Sequence, residues 1–133
     1  MRVTCLFIVL TIVGCDRTWG VRHHASAPTL THAQLIQRLE SLPESDPWTS
    51  PRRTSGGTRY YMFGDISVAV PAGSNRLLFE YNRMGYPDAE DQSKVPAIRD
   101  ELIRAYSLVR TKIPSLPETD SIQIHYHRVK EPD

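Results

Sequence analysis

The chain has 133 residues, a length that suits one domain and not two. Its 16 basic and 15 acidic side chains nearly balance and give a formal net charge of +1. This balance argues against the broad basic surface of nucleic-acid-binding proteins. The sequence also lacks the patterns of a nucleotide-binding loop, a zinc-protease helix and a serine nucleophile elbow.

The first fifteen residues have the character of an export signal. Arg2 is the only charged residue before Asp16, and residues 3–13 are apolar apart from two threonines. As a helix, the segment from Val3 to Gly14 would cover about 18 Å at about 1.5 Å per residue. The hydrocarbon core of a bilayer needs about 30 Å. We therefore expect a signal peptide and not a permanent membrane span.

The sequence Ile12-Val13-Gly14-Cys15, which ends this segment, resembles the lipobox of bacterial lipoproteins. The resemblance covers only residues 1–15 and departs from the commonest pattern in having isoleucine instead of leucine at position 12. It implies that the Cys15 sulfur receives a diacylglycerol, that residues 1–14 are removed, and that the new amino terminus is acylated. The alternative is an ordinary signal peptide in which the cysteine is a coincidence.

The lipobox resemblance implies a membrane-anchored protein of the cell envelope that faces the periplasm or the exterior. Cys5 would leave with the signal and Cys15 would be lipidated, so the mature domain would have no disulfide and would depend on its core. Asp16 resembles the retention signal that keeps enterobacterial lipoproteins in the inner membrane. That rule does not hold for all bacteria, so the choice of membrane stays open.

We predict that residues 15–29 form a lipidated tether, because they lack hydrophobic periodicity and contain Gly20 and Pro28. Trp19 could rest at the level of the lipid headgroups or pack on its own domain. The adjacent pair His23-His24 is a weak metal candidate, since neighbouring side chains point apart in most backbone conformations.

A first helix is predicted to begin after Thr31, which forms a capping box with Gln34. The apolar residues after it recur on one face, and Pro43 is expected to end the helix. Such a short helix must dock on another element.

Residues 44–58 are predicted to form a polar loop that contains Gly56-Gly57. Arg52, Arg53 and Arg59 gather around this loop. Arginines beside the N–H groups of a glycine pair suit a phosphate or a carboxylate, so they are a candidate anion site. The alternative is a solvated loop without a ligand.

An antiparallel meander of three strands is predicted next, over residues 59–63, 66–70 and 76–83. Apolar side chains alternate with polar ones in the second and third of these strands. One face of the sheet is therefore apolar and must be covered.

A second helix is predicted from about Lys94 to Lys112, with Ser93 as its cap and Pro96 in its first turn. Its apolar residues recur at steps of three and four, which indicates a face packed on the core. The acidic residues 88, 90 and 91 before it could bind calcium, but they lack the ligand spacing of an EF-hand. They are better suited to the positive end of the helix dipole.

The last predicted strand covers residues 121–129. His125 and His127 lie two residues apart on it, so both side chains point to the same face and could reach one metal ion. A third ligand would be needed, with an acidic residue or His23 and His24 as candidates. The alternative is two exposed histidines on the wet face of a sheet.

These elements, in the order α-β-β-β-α-β, predict an α+β fold. We expect a small two-layer sandwich in which two helices cover one face of an antiparallel sheet of about four strands. The predicted organisation is a signal peptide over residues 1–14, a lipidated tether over 15–29 and a single domain over 30–133.

Three hypotheses for the function follow. The first is a non-enzymatic binding or structural module beside the membrane, which would bind an envelope protein or peptidoglycan and need no cofactor. An exposed strand edge could accept an extended partner. The second is a metal-binding lipoprotein that uses His125 and His127. The third is a small envelope hydrolase, for which no catalytic residue can be assigned from the sequence.

Overall fold

The protein, seen here as a computed structural model, is built on a six-stranded antiparallel sheet with the strand order β2-β3-β4-β5-β1-β6. The structure describes residues 17–43 and 48–133, with only the backbone of residues 50–55. The predicted signal, Cys15 and the side chains of Arg52 and Arg53 therefore lie outside what is described.

Strand β1 spans Thr18–Ser26, inside the segment predicted to be a tether. It pairs with β5 along its whole length, from Thr18 opposite Met84 to Ser26 opposite Arg76. The tether prediction is therefore wrong for residues 18–26. The alternate residues Trp19, Val21 and His23 are buried on one face of the sheet, as in a strand. The histidine on this face and the glycine between the two apolar residues hid the apolar alternation in the sequence.

Strand β2 covers Trp48–Ser55, where a polar loop was predicted, and β3 covers Thr58–Phe63. Ser55 pairs with Thr58, so Gly56-Gly57 is the turn of a two-residue hairpin. Both glycines have positive φ, at 58° and 83°, as a type I′ turn requires. The pairing slips between Thr49 and Arg53 around Pro51, which an edge strand tolerates.

Strands β4 and β5 cover Ile66–Val70 and Arg76–Met84 and complete the predicted meander with β3. The turn between β3 and β4 is Gly64-Asp65, and Gly64 has a φ of 56°. A Cβ at Gly64 would lie 2.0 Å from Glu101 Oε1, which accepts a hydrogen bond from the Asp65 N–H at 3.1 Å. The glycine thus lets the second helix approach the turn closely.

Helix α1 covers His32–Glu40 and confirms the predicted capping box. The Thr31 hydroxyl accepts from the Gln34 N–H at 3.2 Å, and the Gln34 side chain accepts from the Thr31 N–H at 2.9 Å. The buried residues Leu35, Ile36 and Leu39 form the face that docks on the core.

Helix α2 covers Ala89–Lys112 and begins five residues before the predicted start. Asp88, and not Ser93, is its cap. The Asp88 carboxylate accepts from the Asp91 N–H at 2.8 Å, while the Asp91 side chain accepts from the Asp88 N–H at 3.0 Å. Two of the acidic residues considered for calcium thus cap a helix. Pro96 lies inside the helix and not in its first turn.

The end of the chain contains a short 3-10 helix, Thr119–Ser121, and a three-residue strand β6, His125–His127. The predicted nine-residue strand is therefore too long. β6 pairs with β1 at only three positions, and Ile122, Ile124 and Tyr126 pack against the core from this edge.

The core lies between one face of the sheet and the helices. α2 crosses β1, β4 and β5 and contacts α1. The largest fully buried side chains are Trp48, Tyr61, Tyr106, Phe79, Leu35, Leu39, Ile66, Leu77, Leu102, Ile113, Leu116 and Val21. The predicted α+β class is confirmed. The predicted count of about four strands is wrong, and the layout of helices on the sheet differs in detail, because β1 and β2 were missed.

Neither described helix is both long enough and apolar enough to cross a bilayer.

Candidate functional site

An open groove of about 660 Å³ lies between α1 and the start of β3. One wall is the outer side of α1, and Arg59 of β3 stands opposite. We call it the α1 groove. Its lining combines apolar and polar side chains: His32, Ala33, Ile36, Gln37, Glu40, Ser41 and Arg59.

Charge in the α1 groove is concentrated in one ion pair. The Arg59 guanidinium donates to Glu40 Oε1, and the Tyr61 hydroxyl lies 3.4 Å from the same oxygen. Burial, together with the nearby Glu40 carboxylate, raises the pKa of Tyr61. The Tyr61 ring stacks on Trp48 at 5.5 Å between centroids, with an angle of 10° between the ring planes. Both rings are about 1% exposed, so this stack belongs to the core beside the groove and does not line it.

Three of the polar side chains that line the α1 groove already have partners within the domain. The Ser41 hydroxyl donates to the Arg38 carbonyl at 2.6 Å, and His32 Nδ1 lies 2.7 Å from the Ser74 carbonyl. Glu40 is held by a cation. A nucleophile needs a base within hydrogen-bond reach, and in this arrangement the serine proton is directed to a carbonyl instead.

Of the residues in the predicted anion site, only Arg59 is seen to lie in this groove. That arginine is matched by Glu40, so it adds no unbalanced positive charge for an anion. Arg52 and Arg53 lie on β2, and their side chains are outside the described part of the structure. Of the three arginines that the sequence analysis named as an anion site, only Arg59 is therefore seen to line the groove.

The histidines of the predicted metal site lie on the edge strand β6. His125 is exposed and His127 is half-buried. His125 pairs across the strands with Arg22, which forms a 3.5 Å ion pair with Glu80. Across residues 17–43 and 48–133, no three His, Cys, Asp or Glu side chains lie close enough together to hold a metal ion.

His23 and His24 point to opposite faces of β1, as expected for adjacent residues in a strand. His24 is exposed, whereas His23 is 8% exposed and packs on the rings of Phe79 and Tyr106. His23 Nδ1 lies 2.8 Å from the Gln123 carbonyl, so this nitrogen is the donor. His23 is therefore a core residue that ties the segment before β6 to β1, a role that sequence reasoning missed.

The chain matches no protein-family model, and comparison with curated proteins and with solved structures finds no similar protein.

Proposed function

We propose that the protein is a membrane-anchored lipoprotein of the bacterial cell envelope. Its two-layer α+β domain would act as a small non-enzymatic binding or structural module. The observation that carries this proposal is the sequence Ile12-Val13-Gly14-Cys15 at the end of an apolar segment. This pattern supports lipidation of Cys15 and removal of residues 1–14.

The start of the fold determines how far the domain would lie from a lipid on Cys15. β1 begins at Thr18, so a mature chain that starts at Cys15 would enter the sheet after only Asp16 and Arg17. One acyl chain holds a protein only marginally on a membrane, at about 0.8 kcal/mol per buried CH₂, whereas two or three chains make a lasting anchor. The domain would be held close to the bilayer.

The α1 groove is the binding surface that we assign to this module. Ala33, which is exposed, offers apolar surface, and the Glu40–Arg59 pair offers one charge of each sign. This combination suits a segment of an envelope protein that presents an apolar side chain next to polar groups. A small ligand that is purely anionic would meet Glu40 as well as Arg59.

The first experiment is the intact mass of the full chain expressed in a bacterial host, beside a Cys15→Ser variant. We expect the unsubstituted protein to begin at Cys15, carry acyl mass and fractionate with membranes. The Cys15→Ser variant is expected to lose the acyl mass. An unsubstituted protein that carries no acyl group and stays in the soluble fraction would contradict the proposal.

A second experiment fills the α1 groove. Gln37 is exposed on the groove wall, so Gln37→Trp should block a partner without disturbing the core. Arg104→Trp, at an exposed position on α2, is the matched control. Crosslinking in intact cells should lose its partner bands in Gln37→Trp and keep them in Arg104→Trp. Equal patterns in both variants would remove the groove from the proposal.

A further inference from the structure

Two large hydrophobic side chains are exposed at one end of the sheet. Met84 is 79% exposed and Tyr86 is 66% exposed, and no other large hydrophobic residue among the described ones is exposed. Burying such groups is favourable by about 25 cal/mol per Å² of apolar surface. Two of them together at one end of a small domain form a candidate contact surface.

These residues lie where the chain enters the domain. Met84 pairs with Thr18, the first residue of β1, and the Gly85 N–H donates to the Arg17 carbonyl at 2.7 Å. The chain that precedes Arg17 therefore emerges beside the Met84–Tyr86 segment, residues 84–86.

The distance from Cys15 to this end is short. Thr18 is three residue steps after Cys15, and an extended chain spans at most about 3.6 Å per step, or about 11 Å in total. If Cys15 carries lipid, as the proposed function requires, the Met84–Tyr86 segment lies within about one headgroup layer of the bilayer. A longer tether would leave the orientation of the domain free.

The chemistry of this end suits the interface of a bilayer better than a purely charged surface. Tyrosine is favoured at the headgroup level because its ring is apolar and its hydroxyl polar. The Arg128 guanidinium lies 5.1 Å from the centre of the Tyr86 ring. Acidic groups are also present here: Asp65 lies 4.0 Å from Arg83, and Asp88 caps α2 just after the segment. The charges therefore nearly compensate, and the apolar contact dominates.

We propose that Met84 and Tyr86 insert into the interface of the same bilayer that holds the lipid of Cys15. This contact fixes the orientation of the domain, with β1 running away from the membrane and the opposite end of the sheet exposed to the periplasm or the exterior. The inference rests on the proposed lipidation and adds a protein–lipid contact to it.

The test uses an environment-sensitive fluorophore attached to single cysteines in the full chain. Met84→Cys and Tyr86→Cys report on the segment, and Ala72→Cys, in the exposed loop between β4 and β5 at the other end of the sheet, is the control. Cys5 leaves with the signal and Cys15 is acylated, so the introduced thiol is the one that reacts. The purified lipidated proteins are placed in vesicles of phosphatidylethanolamine and phosphatidylglycerol that contain a nitroxide-labelled headgroup lipid.

We expect quenching at positions 84 and 86 to exceed that at position 72 at least about two-fold, with a blue-shifted emission at the first two positions. Quenching that is equal at all three positions in protein shown by mass to be lipidated would overturn the inference and leave the anchor intact. A missing acyl group in the same mass spectrum would instead refute the proposed function. Labels that are shielded in whole envelopes but unquenched in pure lipid vesicles would show a protein partner and also overturn it.

Hydrogen exchange on the unsubstituted protein provides a second readout that needs no label. Amides of residues 84–86 should exchange several-fold more slowly in the lipidated protein on vesicles than in a chain of residues 16–133 in solution. Amides of the loop at residues 71–75 should exchange equally in both. Unchanged exchange at residues 84–86 would overturn the inference independently of the fluorophore.

Discussion

Replacing Trp19 by alanine tests whether the segment after the predicted lipid is part of the fold. Trp19 is 3% exposed and packs on the Tyr81 ring at 5.5 Å between centroids. A buried aromatic side chain removes about 150–250 Å² from water. At about 25 cal/mol per Å² this corresponds to about 4–6 kcal/mol, which is an upper bound because the unfolded chain is partly compact. We therefore expect Trp19→Ala to lower the free energy of unfolding by about 3–5 kcal/mol.

The assay is urea unfolding of a chain of residues 16–133, followed by circular dichroism. With a slope of about 2 kcal/mol per M, the loss corresponds to a fall in the midpoint of about 1.5–2.5 M. His24→Ala is the control, because His24 lies on the same strand with its side chain exposed on the opposite face. It should change the free energy of unfolding by no more than about 0.5 kcal/mol. Equal and small effects of both substitutions would mean that β1 is a tether after all.

Three further predictions concern the turn after β3, two buried tyrosines and the cap of α2. Gly64→Ala should cost about 1–3 kcal/mol in urea unfolding, because of the positive φ and the contact with Glu101, and adding Glu101→Ala should recover part of the loss. Burial raises the pKa of Tyr61 and of Tyr106. The stability that these two neutral side chains contribute is therefore present below about pH 10 and is lost as the pH rises further. The double variant Tyr61→Phe/Tyr106→Phe should lose less of its unfolding midpoint at alkaline pH than the unsubstituted protein, and an equal loss in both would contradict this. Backbone hydrogen bonds, first of all the one from the Asp91 N–H, lower the pKa of Asp88. The stability that the Asp88 carboxylate contributes is therefore present above about pH 4 and is lost as the pH falls through the lowered pKa. The difference in melting temperature between the unsubstituted protein and Asp88→Ala should shrink over that pH range, and a constant difference would show that the carboxylate does not cause it.

The elements that the sequence predicts well are those whose local signals agree with the packing. The Thr31 capping box has one arrangement that satisfies both its backbone donors, so it identifies the start of α1 without tertiary information. Alternation in residues 66–70 and 76–83 and the glycine turn between residues 63 and 66 likewise predict the meander.

The strands β1 and β2 could not be predicted because local and tertiary signals disagree there. Gly20 interrupts β1, but a Cβ at this position would lie 2.0 Å from the Tyr81 carbonyl oxygen, so close pairing with β5 is what requires the glycine. Pro51 argues against a central strand, and β2 contains it only because β2 lies at the edge of the sheet. The α1 groove depends on both strand order and helix docking, so only Arg59 of its lining was singled out.

The direction of the strands separates the two ends of the domain by function. β1 starts at Thr18 beside the Met84–Tyr86 segment and ends at Ser26, about 26 Å away for eight steps of about 3.3 Å. The α1 groove lies toward the far end, because Arg59 is at the start of β3, which runs parallel to β5, and His32 is held by the carbonyl of Ser74. If the proposed lipid contact holds the near end, the groove faces away from the bilayer and is open to a partner about a strand's length above it. A partner embedded entirely in the membrane could not reach the groove, whereas one with a segment outside the bilayer could, so the proposed orientation selects the class of partner as well as the face that binds it.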